Sequence, residues 1–139
     1  MAHELPAGLT VISDAADATT SGAPGDSTWL LRELLKYRWP RGAAVTVVAP
    51  EVVAKCETLP LGSTISTPLG GRRDARFSQP VDVAATVERR FDARFVLSGH
   101  LGKNLPIEMG RAVVLRAGDV QIVVTERTEE FGRATLFKG

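Results

Sequence analysis

The feature that most constrains the fold is a change of hydrophobic period within the first 57 residues. Residues 9–12 form a short apolar run rich in β-branched side chains, which predicts a buried strand. Four leucines between residues 30 and 35 share one side of a helix. Residues 43–49 then predict a second buried strand, and Pro50 opens a short helix over residues 51–57. This order predicts a parallel βαβ unit with a right-handed crossover, followed by a second helix.

The second half of the chain changes to the period of two that is typical of strands. Val81, Val83, Ala85 and Val87 alternate with Asp82, Ala84, Thr86 and Glu88, and the short segment 117–119 (Ala-Gly-Asp) separates two apolar runs of a compact hairpin. The predicted elements are strands at 63–67 (ended by Pro68), 81–88, 95–97, 112–116 and 120–125, with a helical turn at 131–137. The fold class is therefore α/β, with a βαβα start followed by mostly antiparallel strands, in one compact domain over residues 1–139.

Composition excludes several classes of protein. With 44% hydrophobic and 24% charged residues, the chain is neither a disordered tail nor a membrane protein. A net charge of +1 argues against nucleic-acid or membrane binding, and the arginine-rich residues 72–76 are expected to form a solvated loop. Cys56 is the only cysteine, so no intrachain disulfide can form. The start of the chain does not resemble a signal peptide, and we expect a cytoplasmic protein.

The segment with the strongest functional signal is the loop of residues 14–28, between the first predicted strand and helix. Ligands bind at the carboxyl ends of parallel strands, but this loop lacks the lysine of a P-loop, and its three carboxylates would repel phosphate. Asp14, Asp17 and Asp26 have oxygen ligands that suit a hard cation. Alternatively, Asp14 and Asp17 bind loop N–H groups while Asp26 caps the helix. A third possibility is a contact surface for another domain or a substrate.

The same segment resembles the carboxyl-terminal domain of the MlrC (microcystinase C) family. The family pattern Asp-x-x-Asp-Asn-Pro-Gly-Gly-Gly-x-x-Gly-Asp-x-Thr corresponds to the run from Asp14 to Thr28. Further resemblance lies in residues 69–72, 112–115 and 123–127, in the expected order. The run Ala-Thr-Thr-Ser replaces Asn-Pro-Gly-Gly, so contacts made by those glycines do not carry over.

The resemblance implies an accessory domain of a zinc-dependent amide or peptide hydrolase. It implies a zinc site built from His, Asp and Glu on an amino-terminal domain that these residues lack; within this chain we expect no catalytic residue, metal ligand or cofactor. The expected partners are that domain, a peptide-like small substrate at the interface and, since the family's final strand would follow Gly139, a second copy on an uncovered sheet edge. The loop residues expected at the interface are Asp14, Asp17, Ser21, Gly22, Gly25, Asp26 and Thr28.

Two other functions stay open from the sequence. One is a self-contained hydrolase that uses Asp14, Asp17 and Asp26, with His100 as a further candidate. The other is a stand-alone interaction domain. His3 and His100 are the only histidines. A typical catalytic zinc site has three protein ligands, so two histidines could not form one unless a carboxylate also took part. We expect His3 to be inert and His100 to be a loop histidine.

Overall fold

The computed structural model describes residues 8–99 and 103–131. Within them, two short 3-10 turns precede the first α-helix, and strands dominate the second half. The elements are the 3-10 turns Ala15–Asp17 and Thr19–Ser21, the helices α1 (Trp29–Leu35) and α2 (Pro50–Cys56), and the strands β1 (Ala43–Val48), β2 (Thr64–Leu69), β3 (Val81–Leu97), β4 (Leu105–Ala117), β5 (Val120–Thr125) and β6 (Glu130–Phe131).

The described strands form one mixed sheet. Its order is β1-β5-β4-β3-β2, and β6 pairs with the early part of β4. β1 pairs with β5 in parallel, whereas the other pairs are antiparallel. The predicted class, α/β with mostly antiparallel strands in one compact domain, is confirmed.

The hairpin predicted around residues 117–119 joins β4 and β5, and its turn consists of Gly118 and Asp119. Ala117 pairs with Val120, and Gly118 has a φ of 59°. A two-residue hairpin turn requires a positive φ at its first central position, which glycine adopts without a steric penalty. The Gly118-Asp119 pair in the sequence therefore determined both the turn and the register of these two strands.

The strands predicted at 81–88 and 95–97 are parts of one longer strand, β3. β3 pairs with β4 along nearly its whole length, with register shifts between Val87 and Arg89 and between Asp92 and Arg94. The predicted end of β2 at Pro68 is also wrong, because Pro68 pairs with Asp82 inside the strand. Proline is tolerated there because β2 lies at the end of the strand order and needs ladder hydrogen bonds on one side only.

The core lies between the helices and one face of the sheet. The apolar face of α2 presents Val52, Val53 and Cys56, each at most 2% exposed, and burial raises the pKa of the Cys56 thiol. Full burial of a side chain of this size contributes about 1.5–3 kcal/mol. None of the described helices is long and apolar enough to cross a membrane. The principal sheet residues in the core are Val47, Leu69, Val83, Val87, Val113, Leu115, Ile122 and Val124.

The buried strand predicted at residues 9–12 is wrong. Leu9 is 92% exposed and Val11 is 82% exposed, and neither belongs to a strand. The parallel partner of β1 is therefore β5, from the far end of the chain, and the predicted βαβ unit does not form. The outer side of β1 is partly used by the loop, because the Val48 N–H donates to the Gly25 carbonyl at 2.8 Å. Of the helical turn predicted at 131–137, Phe131 belongs to β6, and the other residues lie outside the described residues.

Candidate functional site

The loop of residues 14–28 lies where the carboxyl ends of β1 and β5 meet, and not at the end of the strand predicted at residues 9–12. The Gly25 carbonyl accepts from the last residue of β1. The Thr19 hydroxyl donates to a Glu129 carboxylate oxygen at 2.5 Å, which ties the loop to the segment after β5. Gly25 has a φ of 73°, and a Cβ there would lie 2.7 Å from the Thr19 methyl carbon. The loop is thus closely packed against this edge.

Asp14 and Asp17 hold the loop together through backbone N–H groups, as one of the sequence interpretations proposed. Asp14 Oδ1 accepts from Ala16 at 3.1 Å and caps the first 3-10 turn. Asp17 uses both oxygens: Oδ1 accepts from Gly25 at 2.9 Å, and Oδ2 accepts from Ser27 at 2.8 Å. Charge-assisted hydrogen bonds of this kind are the stronger ones in proteins. Asp17 therefore links the beginning of the loop to its end, eight and ten residues later in the sequence.

Asp26 does not cap α1, contrary to the prediction. Its side chain is 7% exposed, and Oδ2 accepts from the backbone N–H groups of Arg72 at 2.8 Å and Arg73 at 2.9 Å. Its carbonyl accepts from Gly71 at 2.6 Å. Residue 28, not 26, is the N-cap of α1, and no side-chain hydrogen bond caps the helix. We call Gly25, Asp26 and the turn of residues 70–73 the Asp26 clamp.

The Asp26 clamp connects the two ends of the strand order. Gly25 binds the end of β1, and Asp26 binds the turn that follows β2. The turn depends on glycine, because Gly70 and Gly71 have φ values of 67° and 60°. A Cβ on Gly70 would lie 2.7 Å from the Asp26 carbonyl oxygen, and one on Gly71 would overlap the backbone of Gln79. The segments 14–28 and 69–72, which carry the resemblance described above, are thus hydrogen-bonded to each other.

Thr28 is the third fixed point of the loop. It is 1% exposed; its N–H donates to Ser78 Oγ at 3.0 Å, and its hydroxyl donates to the Gln79 carbonyl at 2.6 Å. The Arg32 Nε donates to the same hydroxyl at 3.1 Å. A buried hydroxyl with this many partners anchors the start of α1 to the segment before β3.

The remaining predicted loop residues, Ser21 and Gly22, lie on the exposed rim. Ser21 ends the second 3-10 turn, and Gly22 closes it with a φ of 89°. A Cβ on Gly22 would meet nothing within 4 Å. The loop therefore has a fixed base and an exposed rim, residues 20–22.

An exposed aromatic pair adjoins the clamp. Trp29 is 62% exposed, and its indole Nε1 donates to the Phe77 carbonyl at 2.7 Å. Phe77 is 71% exposed, and the Arg76 guanidinium lies over its ring, 5.6 Å from the centroid. Asp74 holds Arg76 at 2.7 Å, and this hydrogen bond lowers the pKa of Asp74. We call Trp29 and Phe77 the aromatic patch.

The described carboxylates do not fit a zinc site. No three His, Cys, Asp or Glu side chains within residues 8–99 and 103–131 are grouped so that they could hold a metal ion. Asp14, Asp17 and Asp26 bind three separate sets of backbone N–H groups. The geometry thus favours a structural role for these carboxylates over the metal-binding interpretation. His3 and His100 lie outside the described residues.

A second concave region lies between α2 and the β3–β4 pair, with a volume of about 250 Å³. Arg111 crosses it and pairs with both Glu57 and Glu126, and its hydrogen bonds lower the pKa of Glu126. Arg90 donates to the Cys56 carbonyl at 2.9 Å. Because Glu57, Arg90 and Arg111 are all bound to other groups of the protein, this region is a structural network of charged side chains.

Sequence reasoning missed the partners of the clamp. It treated residues 70–73 as a turn and assigned Asp26 to its own helix, so the hydrogen bonds across 46 and 47 residues were not foreseen. The co-occurrence of two motifs, one rich in aspartate and one with consecutive glycines, was the signal that could have paired them. Consecutive N–H groups in a glycine turn form an anion-binding concavity, which Asp26 fills.

The comparisons with known proteins agree with the resemblance seen in the sequence. Residues 12–139 match the family model described as the MlrC C-terminus. Among solved structures, a candidate metallopeptidase from Mesorhizobium sp. BNC1 is 26% identical, with a TM-score of 0.72. The match covers 80% of this chain and only 22% of that longer chain. No curated protein matches the chain significantly. On the family match, which extends over most of its length, this chain belongs to the MlrC C-terminal family.

Proposed function

We propose that this module is the accessory carboxyl-terminal domain of an MlrC-type zinc-dependent amide or peptide hydrolase of the cytoplasm. In this role it packs on a metal-bearing amino-terminal domain, and the rim of loop 14–28 helps to shape the substrate site. The observation that carries the proposal is the three-point fixation of the loop by Asp17, the Asp26 clamp and Thr28. The match to the similar solved structure covers only 22% of that chain, and this supports a role for the module as one part of a larger protein.

The fixed loop is suited to positioning a partner or substrate. Preorganised elements bind with a smaller entropic cost than flexible ones, because their backbone is already ordered. Ser21 offers a hydroxyl on the rim, and Gly22 leaves open space beside it. These groups suit hydrogen bonding to the backbone of a peptide-like substrate at a domain interface.

The carboxylates at the base of the loop support an accessory role. Asp17 accepts an N–H on each oxygen, and Asp26 accepts two on one oxygen. These hydrogen bonds to a charged group contribute about 1.5–3 kcal/mol each, and they hold both carboxylates against the backbone of the loop and of the turn. In the proposed enzyme, bound zinc supplies Lewis-acid chemistry and an activated water from the other domain. This chain's residues hold the loop and orient the substrate.

The proposal is tested by comparing this chain alone with the longer protein encoded together with its upstream sequence. We expect bound zinc and hydrolysis of peptide amides only in the longer protein, measured by elemental analysis and by product release. Ser21→Ala should raise KM there without changing metal content, and Thr46→Ala on the exposed side of β1 is the matched control. Stoichiometric zinc together with turnover in this chain alone would refute the accessory role.

A further inference from the structure

We infer that the aromatic patch, Trp29 and Phe77, is the central contact through which this module binds the domain that precedes it. The inference deepens the proposed function and rests on it. The four most exposed large apolar side chains of the described residues are Leu9, Val11, Phe77 and Trp29. Two of them precede the loop directly in sequence, and the other two form the patch. Trp29 and Phe77 adjoin each other through the hydrogen bond between the indole and the Phe77 carbonyl, and adjoining exposed apolar side chains favour an interaction site.

The patch is held in place before any partner arrives. The Trp29 indole is fixed by its hydrogen bond to the Phe77 carbonyl, so its large apolar face is presented at little further entropic cost. The Phe77 ring carries the Arg76 guanidinium, which Asp74 orients in turn. Tryptophan and arginine are enriched among the residues that carry most of the binding energy at protein interfaces.

Charge indicates what the partner surface offers. Arg72 pairs with Glu51 at 3.0 Å, and Arg76 pairs with Asp74, so both charges are offset. Arg73 is exposed, and its backbone is held by the Asp26 clamp. A complementary surface would have an apolar recess for Trp29 and a carboxylate beside Arg73. We assign the preceding domain as the occupant on the basis of the proposed function, and the similar solved chain, of which the match covers 22%, is long enough to include such a domain.

Hydroxyl-radical footprinting read by mass spectrometry tests this inference on intact proteins. Oxidation of Trp29 and Phe77 is compared between this chain alone and the longer protein. We expect at least about tenfold slower oxidation of both residues in the longer protein, since an interface core excludes water. Phe95, 49% exposed on the distal part of β3, is the matched control and should react equally in both.

Each other outcome overturns something specific. Equal oxidation of Trp29 in both proteins, with protection confined to the rim of loop 14–28, would refute the patch and leave domain packing intact. Absence of protection anywhere would refute the packing itself. If Trp29 is protected in this chain alone at high concentration and sedimentation shows a dimer, the occupant is a second copy and the inference is wrong. Trp29→Ala should keep the melting temperature of the chain, which would show that the patch does not act through folding.

Discussion

Removing the Asp26 carboxylate should destabilise this module more than removing the Asp14 carboxylate, which makes a single exposed hydrogen bond. In Asp26→Ala, the N–H groups of Arg72 and Arg73 lose a charged acceptor at 2.8 and 2.9 Å. Hydrogen bonds to charged groups contribute about 1.5–3 kcal/mol each. Because the bonds are partly buried, we take the low end and expect a loss of about 3 kcal/mol of unfolding free energy, and a melting temperature lower by about 10 °C.

Urea denaturation of the 139-residue chain, followed by circular dichroism, measures this loss. Asp14→Ala is the matched control, because it removes a single exposed hydrogen bond at 3.1 Å and should cost less than about 1 kcal/mol. Asp26→Asn keeps an acceptor oxygen for both N–H groups, so its loss of unfolding free energy should lie between those of Asp14→Ala and Asp26→Ala. Limited trypsin digestion adds a local measurement, since release of the turn should speed cleavage after Arg72 and Arg73.

The reasoning fails on a clear result. If Asp26→Ala and Asp14→Ala lower the unfolding free energy equally, the clamp does not connect the two ends of the sheet energetically. Unchanged tryptic cleavage together with a large loss of stability would show that Asp26 acts elsewhere than on the turn. Either outcome would remove the structural basis for regarding the loop as preorganised.

Three further predictions test the base of the loop and the charge network. Gly71→Ala, which forces a Cβ onto neighbouring backbone, should cost about 2–4 kcal/mol, whereas Gly22→Ala, with a similar positive φ but open space, should cost about 1 kcal/mol by urea titration. Thr28→Val should lower the unfolding free energy by about 1–3 kcal/mol, because the substitution keeps the shape of the side chain but removes the buried hydroxyl and leaves its hydrogen-bond partners unpaired. The fold should stay intact by circular dichroism. Hydrogen bonds from Arg111 lower the folded-state pKa of Glu126 below the ordinary value of 4.5. The ionised Glu126 side chain therefore makes its whole contribution to the stability of the fold above pH 4.5, and this contribution is lost as the pH falls through the folded-state pKa. The melting-temperature difference between wild type and Glu126→Gln should therefore shrink on acidification, and an unchanged difference would contradict it.

Local sequence signals predicted the elements whose structure depends on near neighbours. The leucine stripe gave α1, Pro50 gave the start of α2, and Gly118-Asp119 gave the β4–β5 hairpin. Each depends on interactions within a few residues, such as helical spacing or turn geometry. The strand predicted at residues 9–12 was wrong, although the apolar, β-branched composition of this run fits a strand. A strand also needs a neighbouring strand to pair with, and no local sequence pattern shows whether one is present.

The candidate site divides in the same way. The sequence located the loop, and it correctly suggested that Asp14 and Asp17 bind nearby N–H groups, within ten residues. It misplaced Asp26, whose partners lie 46 and 47 residues away in a turn that local rules treat as independent. A helix N-terminus is the nearest set of free donors to Asp26 in sequence, and that is why local reasoning assigned it there.

By itself, then, the sequence determined the class of fold, the helices, the β4–β5 hairpin and the family of this chain. Only the tertiary structure decided that β1 pairs with a strand from the other end of the chain, and that Asp26 joins the turn after β2 to the end of β1. The reason is physical. Periodicity and turn chemistry act over a few residues, whereas the choice of partners for a strand edge or a buried carboxylate depends on which distant backbone groups the folded chain brings within hydrogen-bonding distance.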